Sequence, residues 1–390
     1  MSTKPLSIEV LCAGMGIPER VRRFEDIPGG RVVFGSGKLS TIGVEAAALN
    51  ASRVLIVTDP GIAKTPAVER AAAALRDSGM SVVIFDQVRE NPTTTDVARC
   101  VVAAQEGAVD LIVGLGGGSS MDTAKGANFI LTNGGEMKDY WGVNKAVHPM
   151  LPMIAVPTTS GTGSECQSFA LIADAETHAK MACGDIKAAA AVAILDPELT
   201  ITMPRAVTAH TGIDAIAHAL ETAVCRKADE VSFAYSKAAW LLLDSGLEQV
   251  IEEPGNLEAR ARMQLGAAFA GTAIENSMLG IAHSCANPLT AHYGIVHGQA
   301  VGTMLPHVIA FNRRDEKVAS IYDSLYSGDL VERIRRHLEV ASMEQSLSSL
   351  GVEAHGLAQL AGEASLQWTA QFNPVDINAS ALLTVYEGAL

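Results

Sequence analysis

Short apolar runs alternate with Ala-rich stretches of helical length in the first half of the chain. The runs cover residues 53–59, 81–88, 110–118, 153–157, 169–174 and 192–197. This order predicts strands connected by helices. The runs are almost continuously Val, Ile and Leu, which is typical of a parallel sheet covered by helices on both faces.

The pattern changes after the segment MPRAV at residues 203–207. β-branched runs become scarce, and Ala- and Leu-rich stretches at helical spacing continue to the C-terminus. A helix is expected to begin just after the proline of this segment. With 390 residues, the chain is long enough for two domains. We predict an α/β domain over residues 1–204 and an all-helical domain over residues 205–390.

Charge and cysteine content restrict the class of partner. The formal net charge of −14 and the pI near 5.2 disfavour a nucleic-acid or anionic-membrane partner. The six cysteines are dispersed and form no C-x-x-C pair, so neither a disulfide framework nor a zinc ribbon is indicated. The N-terminus lacks a signal-peptide pattern, and no apolar run approaches the roughly 18 residues of a membrane span. We expect a cytoplasmic protein that acts on small molecules.

A glycine turn joins a strand to a helix in DLIVGLGGGSSMDTAKG, residues 110–126. Glycines allow a phosphate to approach the backbone, and a helix N-terminus favours an anion. The turn departs from the usual dinucleotide pattern at Ser119, and it lacks the G-K-[ST] of a P-loop. Asp122 has capping-box spacing from Ser119. The turn therefore either binds a phosphate in a variant dinucleotide fold or only connects two elements.

Two more polar features accompany this turn. Asp59 ends an earlier strand, where a carboxylate can accept hydrogen bonds from adenosine ribose and repel a 2′-phosphate, favouring NAD over NADP. It is equally suited to forming a turn before Pro60 and Gly61. The loop PTTSGTGSE, residues 157–165, offers several hydroxyl donors to a polar ligand. Its alternative is a plain connector.

Possible metal ligands lie in the second half. Asp214 and His218 are four residues apart, so a helix projects both from one face. Alone, such a pair is more often a surface hydrogen bond. Residues 280–308 add four histidines in an apolar, Gly-rich setting, which favours ligation. Three imidazoles with one carboxylate suit Zn²⁺ or Fe²⁺. The four histidines are His283, His292, His297 and His307.

The motifs together resemble those of the iron-activated, group III alcohol dehydrogenases, which have a dehydroquinate-synthase-like fold. The likeness spans nearly the whole chain. The motifs are GGGSSMDTAKG, PTTSGTGSE, DPELT, GIDAIAHALE and the histidine block ending in HGQAVGTMLPHV. This resemblance implies an NAD(H)-dependent oxidoreductase that interconverts an alcohol and an aldehyde or ketone at a divalent metal, with Fe²⁺ ahead of Zn²⁺. We also expect a homodimer or a higher homo-oligomer.

The resemblance also implies roles for the domains and for individual residues. Residues 1–204 would be a variant Rossmann domain that binds NAD, and residues 205–390 would bind metal and substrate. The implied metal ligands are Asp214, His218, His283 and His297, but not His292 or His307. The pyrophosphate would lie at Gly116, Gly117, Gly118 and Ser119 near Asp122, the nicotinamide near Thr158, Thr159, Thr162 and Lys180, and the adenosine near Asn91.

Two residues depart from the family pattern. Asn287 stands where many relatives have a histidine close to the nicotinamide, and an amide is no general base near neutral pH. Proton release would then use water, a ribose hydroxyl or another residue. Glu275 stands where relatives often have Asn. It either selects a polar or cationic substrate or is simply an exposed helix residue.

Three other functions remain open from sequence. A hydroxyacid–oxoacid transhydrogenase would pass hydride between two substrates without releasing the nicotinamide. A non-redox cyclase of the dehydroquinate-synthase type would need a more basic pocket than the few lysines and arginines near the histidine block provide. A catalytically silent metal- or nucleotide-binding protein would explain Asn287, but the presence of all four implied ligands disfavours it.

Overall fold

Two compact units make up the computed structural model, which describes residues 6–390. The first unit holds residues 6–10, 23–159 and 163–202, and the second holds residues 11–22, 160–162 and 203–390. None of the helices in the described residues is both long enough and apolar enough to span a membrane.

The first unit is built on strands and the helices between them. Its strands are β1 (Arg31–Phe34), β2 (Arg53–Val57), β3 (Ser81–Phe85), β4 (Leu111–Gly116), β5 (Gly142–Val143), β6 (Met153–Pro157), β7 (Phe169–Ala173), β8 (Lys180–Gly184) and β9 (Val192–Leu195). The helices of the N-terminal part of the chain are α1 (Ile8–Leu11), α2 (Glu19–Arg22), α3 (Ile42–Ala48), α4 (Pro66–Asp77), α5 (Thr94–Glu106) and α6 (Gly118–Asn133).

Within the described residues, six of these strands form one sheet in the order β1-β9-β6-β4-β2-β3, and every neighbouring pair is parallel. Strands β4 and β6 are buried along their whole length. Alternate residues of β2 enter different apolar clusters, Val54 and Ile56 on one face and Leu55 and Val57 on the other. The predicted parallel sheet with both faces covered is confirmed.

The order of the central strands positions the polar loops. Strands β6, β4 and β2 are neighbours, and parallel strands place their carboxyl ends at one edge of the sheet. Asp59, the glycine turn at 116–118 and the loop at 157–165 all follow the carboxyl ends of these strands. The fold therefore brings the three predicted cofactor segments to the same edge.

Some sequence-based expectations for this unit are wrong. β7 does not join the parallel sheet; it pairs antiparallel with β8, and β5 completes that second sheet. The capping box predicted for Ser119 and Asp122 is absent, because α6 begins one residue earlier, after Gly117. The Asp122 carboxylate instead accepts a hydrogen bond from the Ser164 hydroxyl at 3.2 Å.

Helices form the second unit. They are α7 (Arg205–Val224), α8 (Glu230–Glu252), α9 (Leu257–Glu275), α10 (Ile281–Tyr293), α11 (His297–Asn312), α12 (Glu316–Leu325), α13 (Leu330–Ala341), α14 (Leu357–Ser365) and α15 (Ala379–Ala389). Residues 203–390, which are all described, contain no strand, so the predicted helical second half is confirmed. Residues 212–224 of α7 are buried throughout, and α7 packs against α8, α9 and α11. Side chains of α7 are therefore held within a packed bundle.

Candidate metal centre and cofactor loops

Three helices of the second unit supply the four predicted metal ligands. Asp214 and His218 lie one turn apart on the buried helix α7. His283 is the third residue of α10, and His297 is the first residue of α11. The rings of His218 and His283 stack with centroids 4.8 Å apart, and those of His283 and His297 are 5.4 Å apart. The structure thus brings all four side chains together.

All three imidazoles direct Nε2 towards one carboxylate oxygen. The distances to Asp214 Oδ1 are 3.2 Å from His283, 3.6 Å from His218 and 3.8 Å from His297. Four ligands on a tetrahedral ion with bonds of about 2.1 Å lie about 3.4 Å from one another. Ligand atoms of Asp214, His283 and His297 lie within 4.8 Å of one another. Spacing and donor chemistry both fit one divalent transition-metal ion.

The charges at this site favour a cation. Burial alone would raise the pKa of Asp214, but His218, His283 and His297 together hold it well below its usual range, so the carboxylate is ionised. Burial lowers the pKa of His218, which keeps that imidazole neutral. Burial opposes a charge on His283 too, but Glu221 and Asp214 raise its pKa to about 9. The negative potential of Glu221 and Asp214 attracts a proton to His283. It also attracts a metal ion, which competes with that proton for Nε2.

Exposure differs around the site. The side chains of His218 and His283 are 7% and 6% exposed, whereas that of His297 is 32% exposed. The site is therefore closed around the first two histidines and accessible beside the third. Catalytic metal sites differ from structural ones in keeping one position open for water or substrate.

The glycine turn and Asp59 lie together in the first unit. Asp59 Oδ1 accepts hydrogen bonds from the Gly61 and Ile62 N–H groups at 2.8 and 3.0 Å. Its Oδ2 lies 3.4 Å from where a Cβ of Gly116 would stand. A Cβ on Gly117 would be 3.3 Å from Thr159. Asp59 thus forms the turn that one interpretation expected, and it also faces the glycine turn; its contact with an adenosine ribose stays a prediction.

The remaining predicted cofactor residues are spread over several elements. Gly118 and Ser119 begin α6, Thr158 is buried just after β6, and Asn91 is exposed with a left-handed φ of 52°. Lys180, on β8, is exposed, and its charge acts on Asp122. Thr162 falls in the second unit. Two buried hydroxyl oxygens, Thr158 Oγ1 and Ser120 Oγ, have no hydrogen-bond partner among the described residues, which leaves them available to a polar ligand.

Comparison with known proteins identifies the family. The sequence profile of the iron-containing alcohol dehydrogenases matches residues 29–197, and the profile of the C-terminal region of the Fe-containing alcohol dehydrogenase family matches residues 208–390. The chain belongs to the iron-containing alcohol dehydrogenase family. The predicted family, the class of activity and the metal dependence are thereby confirmed, as is the fold.

Relatives of this iron-containing alcohol dehydrogenase share most of its length. The NAD-dependent methanol dehydrogenase of Bacillus methanolicus is 32% identical over 371 residues, which cover 92% of this chain and 97% of the relative. The crystal structure of a 1,3-propanediol oxidoreductase superposes with a TM-score of 0.90 at 30% identity, covering 93% of this chain and 98% of that one. A sulfoacetaldehyde reductase from Bifidobacterium kashiwanohense, solved in complex with NAD⁺, gives 0.84 at 28% identity, covering 93% and 97%.

The structure separates the other two histidines of this alcohol dehydrogenase from the metal centre. His292 Nε2 lies 2.7 Å from Glu363 Oε2 in an exposed pair. The half-buried ring of His307 lies beside Gly388. Both positions agree with the resemblance, which implied neither residue as a ligand.

The two departures from the family pattern have definite surroundings. Asn287 lies one turn after His283 on α10, and its Nδ2 donates to Gln367 Oε1 at 3.0 Å. The amide is thus held by a second amide, and neither group is an acid or base near neutral pH. Glu275 is the last residue of α9 and is half-buried.

Sequence reasoning missed Glu221, the buried carboxylate that contacts His283. Glu221 follows Asp214 by seven residues and His218 by three, so helical periodicity places it on the same side of α7. That spacing indicates the face that Glu221 shares with two of the ligands, but not its contact with His283.

The buried carboxyl of Glu165, the last residue of the loop at 157–165, predicts a pH-dependent stability. Burial raises the pKa of Glu165 from 4.5 to about 7. Lys125 acts in the opposite direction, but its effect is weaker. Between these values the unfolded chain has released a proton that the folded chain retains, so stability falls as pH rises. Glu165→Gln removes this effect. We expect the free energy of unfolding of the variant to exceed that of the wild type by about 3 kcal/mol near pH 8 and to equal it near pH 4.

Urea unfolding of both proteins across this pH range measures the difference. The same substitution at exposed Glu106 controls for the loss of one negative charge. A constant difference between Glu165→Gln and the wild type at all pH values would contradict the assignment.

Proposed function

We propose that this protein interconverts a small alcohol and its aldehyde or ketone by hydride transfer with NAD(H), at one Fe²⁺ held by Asp214, His218, His283 and His297. The observation that carries the proposal is the convergence of three imidazole Nε2 atoms on one carboxylate oxygen. Relatives that are NAD-dependent or that are solved with NAD⁺ support the choice of cofactor.

The ligands and their neighbours prepare the site for this chemistry. When bound, the metal acts as a Lewis acid that polarises the substrate oxygen. Asp214 supplies the negative charge that offsets the cation, and neutral His218 offers a free lone pair. The accessible side of His297 leaves room for the substrate oxygen. Because Asn287 is engaged with Gln367, the proton of the alcohol leaves through water, a ribose hydroxyl or another residue.

Most residues of the proposed NAD site belong to the first unit. The pyrophosphate is assigned to Gly116, Gly117, Gly118 and Ser119, where α6 begins without a side-chain cap and its N-terminus favours an anion. Asp59, facing Gly116, favours NAD because its carboxylate binds ribose hydroxyls and repels a 2′-phosphate. The nicotinamide side is assigned to Thr158, Thr159, Thr162 and Lys180, with Asp122 near the pyrophosphate and Asn91 on the adenosine side.

Each domain has its own role in the proposed function. We assign NAD binding to a domain over residues 1–204 and metal and substrate binding to a domain over residues 205–390. We also propose a cytoplasmic homodimer or higher homo-oligomer. The net charge of −14 and the dispersed cysteines support the location and the absence of a nucleic-acid partner.

A spectrophotometric assay tests the function. The purified protein, loaded without oxygen with Fe²⁺ or Zn²⁺, is offered a panel of alcohols with NAD or NADP, and formation of reduced nicotinamide is followed. We expect turnover that requires the metal and is faster with NAD. Hydride exchange between two substrates without added NAD would indicate the transhydrogenase instead. No hydride transfer under any condition would favour a silent binding protein.

A further inference from the structure

A buried carboxylate joins helix α7 to the metal ligand His283. Glu221 is 3% exposed and lies on the helix that carries Asp214 and His218. Its Oε2 lies 2.5 Å from His283 Nδ1, and its Oε1 accepts the Ala282 N–H at 2.6 Å. We infer that Glu221 is a positioning residue that fixes the ring orientation and the tautomer of His283 for metal binding. The inference rests on the proposed metal site.

The tautomer follows from the chemistry of the pair. An ionised carboxylate only accepts hydrogen bonds, so the nitrogen that faces Glu221 must carry a hydrogen. In the neutral imidazole the other nitrogen, Nε2, then holds the lone pair. His283 Nε2 is the atom directed at Asp214 Oδ1, 3.2 Å away. Glu221 therefore makes the lone pair of His283 available where the metal is proposed to bind.

The carboxylate itself is fixed at both oxygens. Helix α10 begins after Gly280, which has no side chain to cap the helix. Glu221 instead accepts a hydrogen bond from the Ala282 N–H in the first turn of α10. A Cβ at Gly280 would stand 3.1 Å from Glu221 Oε1, so glycine leaves the carboxylate its space. The Glu221 carboxylate is hydrogen-bonded both to the backbone beside His283 and to the His283 ring. It therefore fixes that ring relative to α7.

The substitution Glu221→Gln separates positioning from packing. Two donors, Ala282 N–H and His283 Nδ1–H, face the carboxylate, whereas an amide has only one oxygen. The amide of the variant would turn its NH₂ group towards one of these two donors. The Ala282 N–H can only donate, so it keeps the amide oxygen and the NH₂ group faces His283 Nδ1. His283 can respond by moving its hydrogen to Nε2, which removes the lone pair from the metal side. Glu221→Gln is therefore expected to weaken metal binding by about 10- to 100-fold.

The affinity for Zn²⁺ and Fe²⁺ is measured by competition with a coloured chelator, and thermal unfolding of the metal-free proteins is measured alongside. Glu221→Asp keeps an acceptor-only group on a shorter side chain, so its affinity should lie between those of wild type and Glu221→Gln. Asp244→Asn is the matched control, because Asp244 Oδ1 binds His337 Nε2 at 2.9 Å in the same unit and also pairs with Arg333. It should lower stability without changing metal affinity.

Each outcome decides the inference. Weaker metal binding by Glu221→Gln, with metal-free stability near that of wild type, supports a positioning role. Unchanged affinity with lower stability shows that Glu221 only packs, and leaves the proposed function standing. If Glu221→Gln does not fold, unchanged affinity in Glu221→Asp overturns the inference. A wild-type protein that binds neither metal would overturn the metal site together with this role.

Discussion

Asp214→Asn is expected to lose the bound metal and to lower turnover by at least about a thousandfold, which corresponds to about 4 kcal/mol of lost transition-state stabilisation. Asp214 contributes the one carboxylate of the four ligands, and its Oδ1 is the atom on which the three imidazoles converge. An amide of the same size has no charge to offset a cation. The loss should therefore concern the metal more than the fold.

Metal content by mass spectrometry and alcohol-dependent reduction of NAD test this expectation. Asp244→Asn makes the same chemical change at an aspartate that binds Arg333 and His337, and it should retain its metal. His218→Ala should match Asp214→Asn, because it removes a second ligand from the same helix. A stoichiometric metal ion in Asp214→Asn would show that the ion is held elsewhere.

Hydrophobic pattern was enough to predict the central sheet, and the limits of that prediction have physical causes. The apolar runs that became β2, β4 and β6 are recognised because both faces of these strands are buried. β1 is only partly buried, unlike the equally short β9, and β5 has only two residues, so neither gives a clear apolar signal. β7 has the composition of a strand, but its antiparallel partner β8 is chosen by tertiary packing, which composition does not encode.

The metal site was predictable in parts. Helical spacing placed Asp214 and His218 on one face, but their meeting with His283 and His297 depends on how α10 and α11 pack against α7, and only the family resemblance implied it. Glu221 was missed because its partner His283 is 62 residues away, so the pair is invisible to local spacing. Local periodicity identifies the face that a side chain shares, but not the residue that it meets.

Gly298→Ala is expected to weaken metal binding and to lower turnover, because the added Cβ would collide with backbone atoms near the metal centre. Gly298 follows His297 at the start of α11, and a Cβ there would lie 2.2 Å from the carbonyl oxygen of His210 and 2.7 Å from its carbon. His210 stands one turn before Asp214 on α7. Backbone atoms cannot rotate away as a side chain can, so α11 must shift by about 1 Å, and a displacement of that size at a catalytic group can cost about 100-fold in rate.

Stability should fall as well, by about 2 kcal/mol, as overpacking of a tight contact usually costs. Gly362→Ala is the matched control, because Gly362 also lies in a helix, α14, but a Cβ there meets open space. Helix propensity alone should stabilise that variant by about 0.5–1 kcal/mol.

Urea unfolding, metal affinity and turnover of the two alanine variants separate the loss of stability from the effect on the metal centre. Because His297 is carried on the helix that must move, metal affinity should fall together with turnover in Gly298→Ala. Wild-type turnover and metal affinity in that variant would show that α11 accommodates the methyl group without moving its ligand.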